Sequence, residues 1–333
     1  MLRRLIIAFC LFSLANATFL FSRSCWAQTP SPALLVLDKG DNSLSIIDPV
    51  SRKTVGQIST GEAPHELTVS SDGRFAYVAN YGAGTPGDTL SVMDLVAQKE
   101  IRRVDLVELR RPHGIEFVHG KVYFTSEVNK SIGCYDPATN NVELFLRTDQ
   151  DRTHMLIFSK DADRLFTTNV NSATVSAFRR NAVSGKWDVT VIPVGKGDEG
   201  LDLSPDGRQL WVANADDGTV SVIDTAGNKV METLDVQAKH SNRLKFTDDG
   251  KLVLISDMGG NQLIIVDVPS RKVIKRIPIG RQPEGILIPG SSHAYIALGG
   301  ERAVAVLDLK SLEVTARIPT GSGPDGMAWA VRK

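Results

Sequence analysis

One unit recurs along this chain with a period of about 43 residues, and no other feature restricts its fold so tightly. The clearest copy is SPDGRQLWVANADDGTVSVID (204–224). Its WVAN and TVSVID pieces carry apolar side chains in the rhythm of half-buried and buried strands. SPDG is a hairpin turn in which proline presets φ at the second position and glycine relaxes the fourth. EGLDLS before it supplies a first strand, and KVMETLDV after it a fourth. Four short strands per repeat are what a propeller blade requires.

The same unit appears in PHELTVSSDGRFAYVAN with TLSVMD, PHGIEFVHGKVYFTS with SIGCYD, and THMLIFSKDADRLFTTN with TVSAF. It returns in SNRLKFTDDGKLVLISD with QLIIVD and in PEGILIPGSSHAYIAL with AVAVLD. An aspartate closes the third strand at 48, 94, 136, 224, 267 and 308, where it is expected to cap a turn. The fourth copy has Phe178-Arg179 there instead. ALLVLDKGDNSLSIIDPVSRKTVGQIS, the earliest copy, lacks a first strand, and GPDGMAWAV (323–331) matches the missing piece. The expected fold is therefore an all-β, seven-bladed β-propeller over 28–333, closed by the C-terminal strand completing the first blade.

At YVAN (77–80), WVAN (211–214), SPDG (204–207) and the SVID/VIKRI cadence, the chain resembles the YVTN-repeat, YncE-like β-propeller family of exported proteins. The resemblance covers nearly all of 30–333 and implies the fold. It leaves function open, because propellers of this kind include lactonases, parts of redox enzymes and pure binding modules.

In a propeller the innermost strand of each blade lines the central channel. Aligning the repeats there gives one polar residue per blade: His65, His113, His154, Glu199, Asn242, Glu284 and Asp325. They are expected to form a binding rim, joined by Arg243, a positive charge placed to pair Glu199 or Glu284 or to meet an anionic ligand. His65, His113 and His154 on adjacent strands also offer a three-nitrogen donor set for a transition metal with a position left for water or substrate. Turn residues Asn80-Tyr81, Glu127, Asn169, Asn214 and Asp257 belong to the same face, and the glycine-rich YGAGTPGD turn (81–88) lies beside His65. His119, His240 and His293 fall outside the repeat register and read as surface residues. Cys134 sits on an apolar third strand and reads as core. DKGDNS (38–43) has calcium-loop residue types without a glutamate in register, so a turn is expected. There is no GxSxG, HExxH, CxxCH or phosphate-loop motif.

Residues 1–27 read as a secretory signal: Arg3-Arg4, an apolar run, and a small-residue exit at Ala27. The run is nearly long enough to span a bilayer, but Asn16, Thr18 and the exit favour cleavage, and the paired arginines suit the twin-arginine route. Removing this segment leaves 35 basic against 38 acidic residues and one cysteine, hence no internal disulfide. A net charge of −3 carries no basic footprint for nucleic acid. The expectation is a periplasmic or secreted monomer, with no membrane segment after cleavage and no nucleic-acid partner. Three functions are compatible: a module binding a small ligand or an envelope protein, a lactonase- or lyase-type enzyme with a His/acid rim, and a subunit of a periplasmic redox complex.

Overall fold

The molecule, analysed as a computed structural model, is described over residues 28–333; the expected signal segment lies outside the described residues. Among the described residues, twenty-eight strands form seven antiparallel four-stranded sheets. Blades two to seven use consecutive strands over 64–105, 112–147, 153–193, 198–235, 241–278 and 283–319. Blade one combines Ala33–Asp38, Ser43–Asp48 and Lys53–Ser59 with Pro324–Ala330, which pairs antiparallel to Ala33–Asp38 through Leu34–Trp329 and Leu35–Ala328. The ring closes as the repeat pattern demands.

Period-2 alternation assigns each face of a blade to a neighbour. In ALLVLD (33–38) every residue is buried. Leu35 and Leu37 pack with Leu67 and Val78 of blade two, while Leu34 and Val36 meet Tyr295 and Val304 of blade seven. Each such side chain contributes roughly 1.5–3 kcal/mol through burial. Fourth strands such as Lys99–Asp105 lie at the perimeter and are mostly exposed, Val104 being the buried residue of that strand. The period-spaced aspartates cap turns: Asp48 accepts from Val50 N–H at 3.0 Å, and Asp308 from Lys310 and Ser311 N–H. Cys134 is buried in its sheet.

Two local devices shape the axis. Every inner strand breaks register with its neighbour near its start, as between Pro112–Ser126 and Ile115–Phe124 in blade three. Such a bulge frees a residue from the ladder and turns its side chain toward the channel. The following position is glycine in four blades because adjacent inner strands touch there. A Cβ on Gly326 would lie 2.3 Å from the His65 carbonyl oxygen, and one on Gly285 2.3 Å from that of Asp325. Glu66, Met155 and Arg243 are the larger residues at this level.

Candidate functional site

The bulges bring all seven first-strand residues, and Arg243, to one cavity of about 680 Å³ at the channel mouth. His113, His154, Glu199, Arg243, Glu284 and Asp325 are each buried there, not solvated at a rim. The floor is an ion pair across the axis: Arg243 of blade six donates from Nε and Nη2 to Glu66 Oε1 of blade two at 3.1 and 2.7 Å. Of the two partners expected for Arg243, Glu199 does pair with it, at longer range than Glu66, and Glu284 does not. Glu199 lies 3.8 Å from its Nη1, and Glu284 is bound elsewhere, to Lys39, which reaches in from the first hairpin of blade one and also meets Asp325 at 3.2 Å.

The three histidines meet as stacked rings. Centroids of His113 and His154 are 3.8 Å apart, His65 and His113 5.3 Å, and Tyr81 sits 4.3 Å from His65. His154 is clamped between carboxylates. Its Nδ1–H donates to Glu127 Oε1 at 2.6 Å, and its Nε2 lies 2.8 Å from Glu199 Oε2, outside good hydrogen-bond alignment. Burial opposes its charge, yet Glu199 and Glu127 outweigh burial and raise its pKa to about 9. With Nδ1 and Nε2 each facing a carboxylate, neither nitrogen of His154 is turned toward a site shared with His65 and His113. Among the described residues no group of three His, Cys, Asp or Glu is arranged to hold a metal ion. The three-nitrogen donor set expected from the sequence is not what these rings form.

The other two imidazoles are different. Burial, then the charge on His154, lowers the His113 pKa well below the usual histidine value. No described residue hydrogen-bonds its side chain, and its Nδ1 is sealed from solvent. Burial also lowers His65. His65 Nδ1 is 2.8 Å from the Ala63 carbonyl, which can only accept, so the hydrogen sits on Nδ1 and Nε2 keeps its lone pair. Asn242 makes no side-chain hydrogen bond, and its Oδ1 is buried without a partner. Burial and the neighbouring Asp325 raise Glu284 to about 8, whereas in Asp325 burial is overridden by Lys39 and the pKa falls.

Above this ring lies a second tier that the sequence reading largely missed. Two residues before each ring residue, a carbonyl accepts a hydrogen bond from the loop after the second strand. Examples are Tyr81 N–H to Ala63 at 3.2 Å, Val170 to Arg152 at 3.1 Å, and Gly259 to His240 at 3.3 Å. Ala63, Arg111 and Arg152 hold left-handed φ values of 46°, 58° and 56° to make this turn. The register of His240 and Arg152 was therefore present in the sequence, two positions ahead of the alignment column. His240 lines the cavity, which corrects its assignment as an ordinary surface histidine. Arg152 lies 3.6 Å from both Glu127 and Glu199. Of the turn residues, Tyr81 and Glu127 join the site through a 2.8 Å hydrogen bond from the phenol. Asn80, Asn169, Asn214 and Asp257 instead bond within or beside their own blades, as Asn214 Nδ2 does to Thr219 and Ser221.

Residues 169–293 match the family model of the cytochrome D1 heme domain. No curated protein matches the chain by sequence. Solved structures share the fold at low identity. Hydrazine synthase of Kuenenia stuttgartiensis is 19% identical with a TM-score of 0.73, over 87% of this chain and 99% of that one. The periplasmic gluconolactonase of Pseudomonas aeruginosa is 18% identical with a TM-score of 0.73, over 91% and 100%. Dihydro-heme d1 dehydrogenase is 17% identical with a TM-score of 0.67, over 92% and 77%. The matched span 169–293 contains none of the three ring histidines. His65 Nε2 is open where His154 is occupied by carboxylates, but the cavity around them is lined by Lys39, Arg152, Arg243, Glu199, Glu284 and Asp325 and not by the broad apolar slot that a haem macrocycle needs. The lining does not fit that group.

Proposed function

We propose that this chain is an exported ligand-binding propeller whose channel mouth holds one small polar molecule. The carrying observation is the set of side-chain nitrogens without a hydrogen-bond partner around one floored cavity, His113 Nε2, Asn242 Nδ2 and His65 Nε2, held in place by partnered neighbours. Buried polar groups are ordinarily hydrogen-bonded, so unpartnered ones facing a cavity favour a hydrogen-bonding guest. The cavity volume is in the range used for small-ligand sites. Assignment to the YVTN-repeat, YncE-like group, a periplasmic or secreted location, a monomeric state and a docking role toward an envelope protein belong to the same reading. Native mass spectrometry of protein expressed from the full-length gene tests it. A stoichiometric small molecule should be retained by the wild type and lost in His113→Ala with Asn242→Ala, with folding intact by circular dichroism. Retention of the molecule in that variant, or identical binding profiles for both proteins across a metabolite panel, would remove the cavity as the binding site.

A lactonase- or lyase-type activity has one specific observation in its favour. His65 Nε2 is a free base, and nearby Glu284 keeps a proton to about pH 8 beside ionised Asp325. That reading expects turnover of aldonolactones that disappears in His65→Gln, and it fails if no substrate of that class is consumed.

A further inference from the structure

The residues directly after each second strand form a ring of their own above the first: Lys39, Tyr81, Glu127, Val170, Ala215, Met258 and Gly299 in blades one to seven. Its two halves differ in chemistry. Blades one to three carry an ammonium, a phenol and a carboxylate, while blades four to seven carry only apolar side chains or none. Val170, Ala215 and Met258 line the cavity, with Ala173 beside them. The loops of blades four to six thus give the cavity an apolar ledge, interrupted by Asn171 and Asp216.

Cations stand at that ledge. Arg152 lies two positions before His154 and Lys196 three before Glu199, so consecutive blade junctions deliver both to the cavity. Neither side chain donates a hydrogen bond to a carboxylate: Arg152 stays 3.6 Å from its two acids, and no ion pair engages Lys196 among the described residues. The Lys196 ammonium is open to a guest, and Arg152, held by two acids and the Tyr81 phenol, presents the remainder of its fork beside it. Over the whole lining, Lys39, Arg152, His154, Lys196 and Arg243 face four carboxylates, Glu199, Asp216, Glu284 and Asp325. Glu66 and Glu127, which pair Arg243 and His154 from behind the lining, offset those two charges, so the cation left without an ion pair among the described residues is Lys196.

We infer that the cavity selects an amphipathic anion, with a carboxylate or similar oxyanion received by Arg152 and Lys196 and an apolar body laid on Val170, Ala173, Ala215 and Met258. This rests on the binding reading above and narrows it. A wholly hydroxylated sugar acid would leave the ledge dehydrated without polar partners. An uncharged apolar guest would leave the guanidinium and ammonium unused. Arg152 supplies a planar fork suited to a carboxylate, and Lys196 a mobile point charge at the entrance.

Calorimetric titration of the full-length expression product with hexanoate, 3-phenylpropanoate, 3-phenylpropanol and gluconate tests the inference. Each of the two apolar acids should bind at least tenfold more tightly than both the alcohol and gluconate. Arg152→Gln should cost the acids about tenfold and leave the alcohol unchanged, and Met258→Gln should weaken the apolar acids while sparing gluconate. Melting curves establish that each variant is folded. Should Met258→Gln melt early, Val170→Thr supplies the same comparison. Gluconate binding as tightly as the apolar acids overturns the amphipathic assignment and leaves the cavity reading standing. Equal binding of the acids to wild type and Arg152→Gln overturns the anion site. No binding of any of the four overturns this inference alone, because retention of a native small molecule reports on the cavity independently.

Discussion

Replacing Glu199 by glutamine should cost stability near neutral pH and flatten the response of the protein to alkali. His154 is buried and carries its charge because Glu199 and Glu127 flank it. Its pKa is raised from 6.5 to about 9, so the folded state binds the proton more tightly than the unfolded chain. The stability this supplies is complete below pH 6.5 and is lost as pH rises through 9. The gap corresponds to roughly 3 kcal/mol, or about 5 °C in melting temperature for a domain of this size. Glu199 acts in the opposite window. Its pKa is depressed, chiefly by His154 against the cost of burial, so its contribution is present above the ordinary glutamate value and fades in acid. Wild type should then hold a plateau below about pH 6.5 and lose melting temperature between about pH 6.5 and 9. In Glu199→Gln only Glu127 remains, the histidine titrates earlier, and the alkaline loss should shrink to about half. Thermal unfolding at half-unit pH steps, with NMR of the histidine ring carbons, measures both effects. A His154 titration at or below pH 6.5 in wild type, or equal alkaline slopes in the two proteins, would refute the clamp.

Deleting 322–333 should strip blade one of its inner strand, expose the Ala33–Asp38 edge and give insoluble or early-melting protein; a truncated chain with the full-length melting temperature would contradict closure. Gly326→Ala should lower stability by more than ~2 kcal/mol, because its Cβ would press on backbone, whereas Gly84→Ala, with nothing within 4 Å, should be near neutral; the two measured side by side decide whether the axis needs glycine. Arg243→Met should cost about 3–5 kcal/mol by leaving Glu66 buried without its partner, and adding Glu66→Gln should recover much of that. Additive losses in this double-mutant cycle would show that the floor pair does not couple.

The blade count, the ring closure and the turn-capping aspartates were all legible in the chain, because each rests on local pattern repeated at fixed spacing. The seven first-strand residues were legible for the same reason: a repeat aligns itself. What the alignment could not show was which long side chains cross between repeats. Glu66 was one residue past the aligned column and reads as an ordinary strand glutamate until Arg243 reaches it from four blades away. Lys39 sat in a hairpin that looked like a plain turn. The fate of the three histidines depended on Glu127 and Glu199 gripping one of them, a matter of ångströms between blades that no spacing encodes. The second tier was within reach, since Arg152 and His240 hold the same offset from His154 and Asn242.

The pairing of Leu34 with Trp329 joins residues almost 300 positions apart, and it sets an order of events. Blade one cannot finish until the other six have been made, so the ring stays open while the intervening chain is synthesised. Contacts this distant are slow to form because loop closure must be paid before they stabilise anything. A chain of this design therefore reaches its native topology late, and through that interval its first strand is an apolar ribbon with one open edge. Anything that holds the polypeptide unfolded, from a chaperone to a translocation channel, has only to keep those two strands apart.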